Sequence, residues 1–387
     1  MRLAPSQRTG IVCALGTAQT IAWASSYYLP AVLATPMARD LGLSPVWIFA
    51  AFSAAMIVSA LVGPWSGARI DRLGGRGVLI ASNLIFIAGL TVLGFANHLV
   101  ALFAGWLLMG LGMGIGLYDS AFASLAAIYG RDARTPITGI TLIAGFASTI
   151  GWPLSAIMEA EAGWRFACFG WAALHLVIAL PLNLLLPSGT MSLPKAAKEE
   201  AHEAGENPRV LHLALLGFVF AVTWFTSTAM AAHLPRLLEA AGATTVAAVA
   251  AGALIGPAQV AARVLEFAFL RRMHPLVSAR LATLTHPLGA LVLMMVGGPA
   301  AALFTLLHGA GNGILTIAKG TLPLALFGPA SYGLRQGIIS APARILQAFS
   351  PLLFGFALER FGANAIWLTF GLGIAAFIAL LALRPKT

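Results

Sequence analysis

Apolar residues run through this 387-residue chain in long stretches. Their length is about 20 residues, what an α-helix needs to cross the ~30 Å hydrocarbon core of a bilayer. The pattern predicts twelve spanning helices, near 10–33, 46–68, 77–96, 100–126, 137–158, 165–186, 210–234, 245–270, 276–297, 300–327, 336–357 and 364–383. A polar segment at 187–209, carrying Lys195, Lys198, Glu199, Glu200, Glu203, Glu206 and Arg209, divides them six and six. It reads as a solvated linker between an N-terminal bundle, 1–186, and a C-terminal bundle, 210–387.

The two halves repeat one another at offsets of 198 to 201 residues. Gly110, Gly112 and Gly114 recur as Gly309, Gly311 and Gly313. Gly130, Gly139 and Pro153 recur as Gly328, Gly337 and Pro351, and Trp23, Ser25 and Ser26 as Trp224, Thr226 and Ser227. A duplicated apolar chain with shared glycine and proline positions predicts an all-α membrane protein of two pseudo-symmetric six-helix bundles around a central site, the architecture of a carrier.

Composition sharpens this. Hydrophobic residues make up 59% and charged residues 9%, more apolar surface than a globular interior of this length could hide from water, so the solvent is lipid. The net charge of +10 would suggest a nucleic-acid partner in a soluble protein, but its distribution excludes that reading. With the N-terminus in the cytoplasm, Arg2, Arg8, Arg69, Arg72, Arg76, Arg131, Arg134, Lys195, Lys198, Arg209, Arg271, Arg272, Arg280, Arg335, Arg384 and Lys386 fall on or near that side. Only Arg39, Arg165, Arg236 and Arg360 fall opposite. The positive-inside rule then puts both termini in the cytoplasm. Arg2 and Arg8 ahead of an apolar run also suit a signal peptide, but the run is too long and eleven more follow, so it is expected to stay as an anchor. Cys13 and Cys168 are the two cysteines, which gives no support to a disulfide framework or a thiolate metal site. No phosphate-binding Gly-rich loop ending in Gly-Lys-Ser/Thr occurs, so no nucleotide or other cofactor is expected and energy must come from an ion or substrate gradient.

Between the second and third predicted spans lies Gly67-Ala68-Arg69-Ile70-Asp71-Arg72-Leu73-Gly74-Gly75-Arg76, a Gly-x-x-x-Asp-Arg-x-Gly-x-Arg pattern. Gly67 and Gly74 allow close backbone approach and a sharp turn, and Asp71 can sit against the partial positive charge of a helix N-terminus. Arg69, Arg72 and Arg76 can equally do no more than enforce topology. The motif and its position resemble the signature of the major facilitator superfamily, and the resemblance covers essentially the whole chain. It implies that Asp71 bridges to the eleventh helix and latches the two halves on the cytoplasmic side. At an offset of 195, Ala262, Glu266 and Arg271 form a degraded copy of Gly67, Asp71 and Arg76. Many proton-coupled drug exporters of the family carry an arginine where this chain has Trp106. The Gly110-x-Gly112-x-Gly114 run with Leu117-Tyr118-Asp119 looks more like the monocarboxylate and oxalate/formate branch.

Five ionisable residues fall inside predicted spans: Asp119, Arg263, Glu266, Lys319 and Arg344. Each costs about 2.5–3.5 kcal/mol at a bilayer centre on insertion scales and so requires a partner, a water-filled cavity or a function. The resemblance implies that helices one, four, seven and ten line a central cavity. It places Asp119 and Lys319, 200 positions apart, at nearly equivalent points of two of them. Asp119 is then the candidate proton-coupling acid, with a structural pair to Lys319 as the alternative. Arg344 is the candidate anion hook, since its planar fork suits a carboxylate, or else a gate residue bonded to helix carbonyls. Arg263 and Glu266, three apart, form an intrahelical pair or contribute to gating, with anion binding by Arg263 as the alternative. Three cations against two carboxylates favour an anionic substrate. Trp23, Ser26, Tyr27, Trp224 and Thr226 offer apolar contact and hydroxyl groups to a small organic solute, though packing alone would also account for them. His175, His233, His286 and His308 lie in or beside spans with no spacing that pairs them, so hydrogen-bonded packing is expected for all four.

The sequence thus predicts a monomeric alternating-access carrier of a bacterial inner membrane, moving a small mono- or dicarboxylate with a proton or by exchange. Proton-driven efflux of a toxic or lipophilic metabolite is the rival. A membrane-embedded enzyme would need a cluster of His, Asp or Ser at productive spacing, which the sequence does not offer, and a passive channel would not need duplicated halves.

Overall fold

The computed structural model describes residues 5–188, 210–270 and 273–384. The linker charges from Lys195 to Arg209, together with Arg2, Arg271, Arg272 and Lys386, lie outside the described residues. Everything described is helix or short turn. In chain order the α-helices are α1 (Pro5–Ser25), α2 (Leu29–Asp40), α3 (Pro45–Leu73), α4 (Arg76–Gly94), α5 (Leu99–Gly116), α6 (Tyr118–Tyr129), α7 (Arg134–Ile143), α8 (Ala147–Leu174) and α9 (Leu180–Leu184). They continue as α10 (Val210–Ala240), α11 (Thr245–Ala253), α12 (Ile255–Leu265), α13 (Pro275–Val296), α14 (Ala301–Phe327), α15 (Tyr332–Phe361) and α16 (Ile366–Ala382).

Among the described residues, eight continuous helical runs are long and apolar enough to cross a membrane, which makes this an integral membrane protein with several spans. Two runs far exceed a single crossing, Leu99–Leu184 at 86 residues and Tyr332–Ala382 at 51. Both are interrupted by glycines at positive φ. Gly130 (φ 56) and Gly163 (φ 82) bend the first run and Gly362 (φ 56) the second, a conformation that costs a residue with a Cβ but not glycine.

The chain forms two compact units. Unit 1 is Met1–Glu206 with Phe327–Ala341, and unit 2 is Asn207–Leu326 with Pro342–Thr387. The start of α15 therefore belongs to unit 1, although it lies in the second half of the repeat in sequence.

Each unit is packed through the repeated glycines. A Cβ on Gly110 would fall 2.4 Å from the Ala55 carbonyl oxygen, and one on Gly114 3.1 Å from that of Ser59, so α5 lies directly on α3 in unit 1. In unit 2 the equivalent Gly309 and Gly313 meet α12, at 3.0 Å from the Ile255 oxygen and 2.5 Å from the Gln259 oxygen. Lipid tails give no hydrophobic drive to helix association, so small residues that admit close backbone contact set these pairings. Unit 2 also carries a side-chain core of Leu234, Leu237, Phe304, Phe354 and Ile366. Its α13 is tied to α16 by Arg280, which donates to the Leu380 and Leu383 carbonyls at 2.8–3.1 Å. These are carbonyls that a helix C-terminus leaves without intrahelical donors. In unit 1, Arg165 pairs with Asp40 and donates to the Ala96 carbonyl at 2.9 Å. The guanidinium hydrogen bond holds the exposed Asp40 carboxyl below its usual range.

Candidate functional site

The glycine-and-aspartate motif builds a joint at the end of α3. Gly74 caps α3 with φ 82 and turns the chain into α4. One turn earlier, Asp71 accepts the Gly333 N–H on Oδ1 at 2.8 Å and the Leu334 N–H on Oδ2 at 2.9 Å. These are first-turn amides of α15, which have no carbonyl partner inside their own helix, and the carboxylate also meets the positive end of the helix dipole. Gly67 makes the approach possible, since a Cβ there would lie 1.9 Å from the Gly333 oxygen. Gly337 similarly leaves 2.5 Å to Pro64 Cα. Gly63 and Gly67 on one helix thus face Gly333 and Gly337 on the other, two four-residue small-residue pairs. Arg72 is exposed and Arg76 half-buried, and Arg69 lies over the Trp65 ring at 5.7 Å.

Deeper in unit 1 the predicted fourth span is broken. Helix α5 stops at Gly116, Leu117 is extended (φ −82, ψ −169), and α6 begins at Tyr118. The Gly116 carbonyl at the break accepts the Gln19 Nε2–H at 2.6 Å. Asp119 sits in the first turn of α6, 6% exposed, and its Oδ1 accepts from Gln336 Nε2 and Ser340 Oγ, each at 3.1 Å. Both donors are on α15, one turn apart. Ser66 and Ser120 hydroxyls meet beside them at 3.0 Å. Sequence reasoning missed Gln19, Gln336 and Ser340. The available signal was a polar stripe, Gln336, Ser340, Arg344 and Gln347, at helical spacing in an otherwise apolar segment.

Trp23 packs against Tyr118 at 5.0 Å and Tyr27 at 5.4 Å, with Tyr28 and Phe52 extending the aromatic group. Its indole nitrogen is buried without a partner. The Ser26 hydroxyl is turned inward onto the Ala22 carbonyl at 2.5 Å. Ser25, His175 and Asn83 form a buried chain, Oγ to Nε2 at 2.8 Å and Nδ1 to Oδ1 at 2.8 Å. His175 opens a π-helical segment, His175–Ala179, and the chain ties it to α1 and α4.

In unit 2, Lys319 is 6% exposed and its Nζ lies 5.1 Å from the Trp224 ring centroid, a cation–π contact. Arg344 is buried to the same degree, on α15. Thr226 Oγ is buried without a partner. Gln347 donates to Thr228 at 3.2 Å and Ser350 to the Phe225 carbonyl at 2.6 Å, which ties α15 to α10. Arg263 donates to the Gly313 carbonyl and to Gln259 Oε1, each at 3.3 Å, while Glu266 accepts from Ser278 at 3.4 Å. These three contacts reach neighbouring helices and the preceding turn. Among the described residues no group of three or more His, Cys, Asp or Glu could hold a metal ion.

The chain is similar to known proteins in sequence and in fold. The sequence profile of the Major Facilitator Superfamily matches residues 15–318. The gentisate transporter of Corynebacterium glutamicum is 27% identical over 376 residues, covering 90% of this chain and 80% of that one. Two solved structures share the fold. The human organic anion transporter MFSD10 superposes with TM-score 0.72 at 19% identity, covering 98% of this chain and 100% of that one. The proton:xylose symporter XylE superposes with TM-score 0.74 at 15% identity, covering 99% and 97%.

Proposed function

We propose, for a chain that belongs to the Major Facilitator Superfamily, that this membrane-embedded secondary transporter moves a small organic anion by alternating access, with a proton or by exchange. The family accounts for a transporter without enzymatic chemistry, in contact with lipid and a small-molecule substrate. Twelve crossings are supported by adding the three glycine bends at Gly130, Gly163 and Gly362, and the α1–α2 segment, to the eight long apolar runs. The distribution of basic residues supports cytoplasmic termini, and a bacterial inner membrane and a monomeric working unit belong to the same reading.

The observation that supports the substrate class is that two cations, Lys319 and Arg344, each 6% exposed, are held inside apolar helices of unit 2, with Lys319 Nζ 5.1 Å from the Trp224 ring centroid. A cation at such depth marks a functional position in a membrane-spanning helix, and an excess of buried cations suits a carboxylate cargo. The gentisate transporter supports the same class, since gentisate is a carboxylate. Arg344 serves as the anion hook and Lys319, over Trp224, as a second positive contact. Trp23, Ser26, Tyr27 and Thr226 supply apolar and hydroxyl surface to the organic part. Asp119 is the proton-coupling acid, and Lys319 stands at the equivalent position of the repeat. Asp71, with Gly67, Arg72, Gly74 and Arg76, is the conformational latch through α15, and Arg263 with Glu266 its counterpart in the second half. The Gly110 run and Leu117-Tyr118-Asp119 support the monocarboxylate/oxalate-formate-like branch.

The aromatic group around Trp23 favours one rival, export of a lipophilic metabolite. Uptake of labelled gentisate, benzoate, pyruvate and succinate into proteoliposomes under an imposed pH gradient separates the two. Saturable uptake of one acid is expected, with Arg344→Gln weakening its apparent affinity about 100-fold, the loss of two charge-assisted hydrogen bonds at about 1.5 kcal/mol each. Equal transport of a neutral lipophilic probe by wild type and Arg344→Gln, without acid uptake, would establish the rival.

A further inference from the structure

The outward side of α3 carries a stripe of exposed side chains that runs from apolar to basic. From Leu61 to the end of the helix the exposed residues are Leu61, Trp65, Arg69, Arg72 and Leu73. Spacings of four, four and three put Leu61, Trp65, Arg69 and Arg72 on one face of the helix. Leu61 is 70% and Trp65 59% exposed, in a helix long and apolar enough to cross a membrane, so that face is turned to lipid. At a rise of 1.5 Å per residue the stripe runs about 16 Å along the axis. Its order is aliphatic, indole, guanidinium, the order in which a bilayer passes from hydrocarbon through its interface to its headgroups.

The two arginines at its end lack acidic partners. Arg8, Arg165 and Arg236 each pair with an acid, Asp132, Asp40 and Glu359. Among the described residues no carboxylate pairs with Arg69 or Arg72. Asp71, the acid between them in sequence, has both carboxylate oxygens on the Gly333 and Leu334 amides. Arg69 is instead laid over the Trp65 ring, 5.7 Å from its centroid, a cation–π contact that holds the guanidinium beside the indole. Arg72, three residues on, is its neighbour on the helix surface, with about 5–6 Å between Cβ atoms. Two guanidiniums at that spacing can converge on one phosphate, whose oxygens match their planar forks.

A free anion would meet the two charges alone. A phospholipid meets the whole stripe, its phosphate at Arg69 and Arg72 and its acyl chain along Trp65 and Leu61. A zwitterionic headgroup brings its own ammonium and leaves the two positive charges uncompensated, so the stripe favours a headgroup of net negative charge. We propose that the end of α3 is a binding site for an acidic phospholipid. The assignment holds whether or not the cargo is an organic anion.

Native mass spectrometry tests it, on the full chain in detergent supplied with equal amounts of phosphatidylglycerol and phosphatidylcholine of the same acyl chains. Phosphatidylglycerol is expected to be enriched about 25-fold among the bound lipids, the effect of two basic residues at about 1 kcal/mol each near a membrane surface. Arg69→Gln and Arg72→Gln should each lower the enrichment about fivefold, and the double variant should bring the two lipids close to parity. Both side chains are exposed, so neither replacement disturbs packing. Arg131→Gln, at an exposed arginine off the stripe, controls for net charge and should leave the enrichment unchanged. Inorganic phosphate, compared with chloride at matched ionic strength, should leave the lipid bound. The site is overturned by parity of the two lipids on wild type, by enrichment that survives the double variant, by an equal loss in Arg131→Gln, or by displacement with inorganic phosphate.

Discussion

Gly67→Val is expected to abolish the packing of α3 on the start of α15 and to leave little folded protein. The Cβ alone would sit 1.9 Å from the Gly333 oxygen and 2.2 Å from its carbonyl carbon. Overpacking in a well-filled interior costs about 1–3 kcal/mol when side chains can move aside. Here the obstacle is backbone, so no change of rotamer relieves it and the helices must separate. Separation in turn removes the Asp71 carboxylate from the Gly333 and Leu334 amides, each about 1–3 kcal/mol where no water replaces it. Asp71→Ala isolates that second component. It should fold, with a lowered melting temperature in detergent, because the glycine contact remains. A Gly67→Val protein that melts with wild type would show that this contact does not hold unit 1 together.

Asp119→Asn is the second large effect, and it should separate coupling from folding. The amide oxygen still accepts from Gln336 or Ser340, both 3.1 Å from Oδ1, so the packing around the α5–α6 break survives. What disappears is the carboxyl that the proposed proton coupling requires. Uptake driven by a pH gradient should fall about tenfold or more, equivalent to about 1.4 kcal/mol, while exchange of substrate for substrate continues. Asp119→Leu goes further, since it leaves the buried Gln336 and Ser340 donors without that acceptor, and should lower stability as well. Pumping by Asp119→Asn at the wild-type rate would remove Asp119 from the coupling role.

Much of this was legible in the sequence because membrane folding depends on local features. Spans show as apolar runs, and the repeat marks the close contacts, so Gly110 and Gly114 do in unit 1 what Gly309 and Gly313 do in unit 2. The motif around Asp71 was visible for the same reason, since a turn and a close approach both demand glycine at fixed positions. The break at Gly116–Leu117 was not visible, because no proline or polar cluster marks it and the freed carbonyl is served by Gln19, 97 positions away. Nor were the partners of Asp119, which come from 217 and 221 positions along the chain. The assignment of residues 327–341 to unit 1 could not be read from a six-and-six division either. Nor does sequence spacing pair His286 with His308, whose Nδ1 atoms meet at 3.0 Å between α13 and α14. Local pattern thus specifies elements and turns, while polar contacts across helices depend on register that only the folded chain sets.

As proposed, this transporter carries a small organic anion through a substrate-loaded cycle. The most direct test is counterflow: proteoliposomes preloaded with excess unlabelled gentisate, diluted into a trace of labelled gentisate with no pH or voltage gradient. Transient accumulation of label above equilibrium is expected, saturating with concentration and weakened in Arg344→Gln. Simple equilibration without overshoot, or an overshoot unchanged by Arg344→Gln, would contradict it.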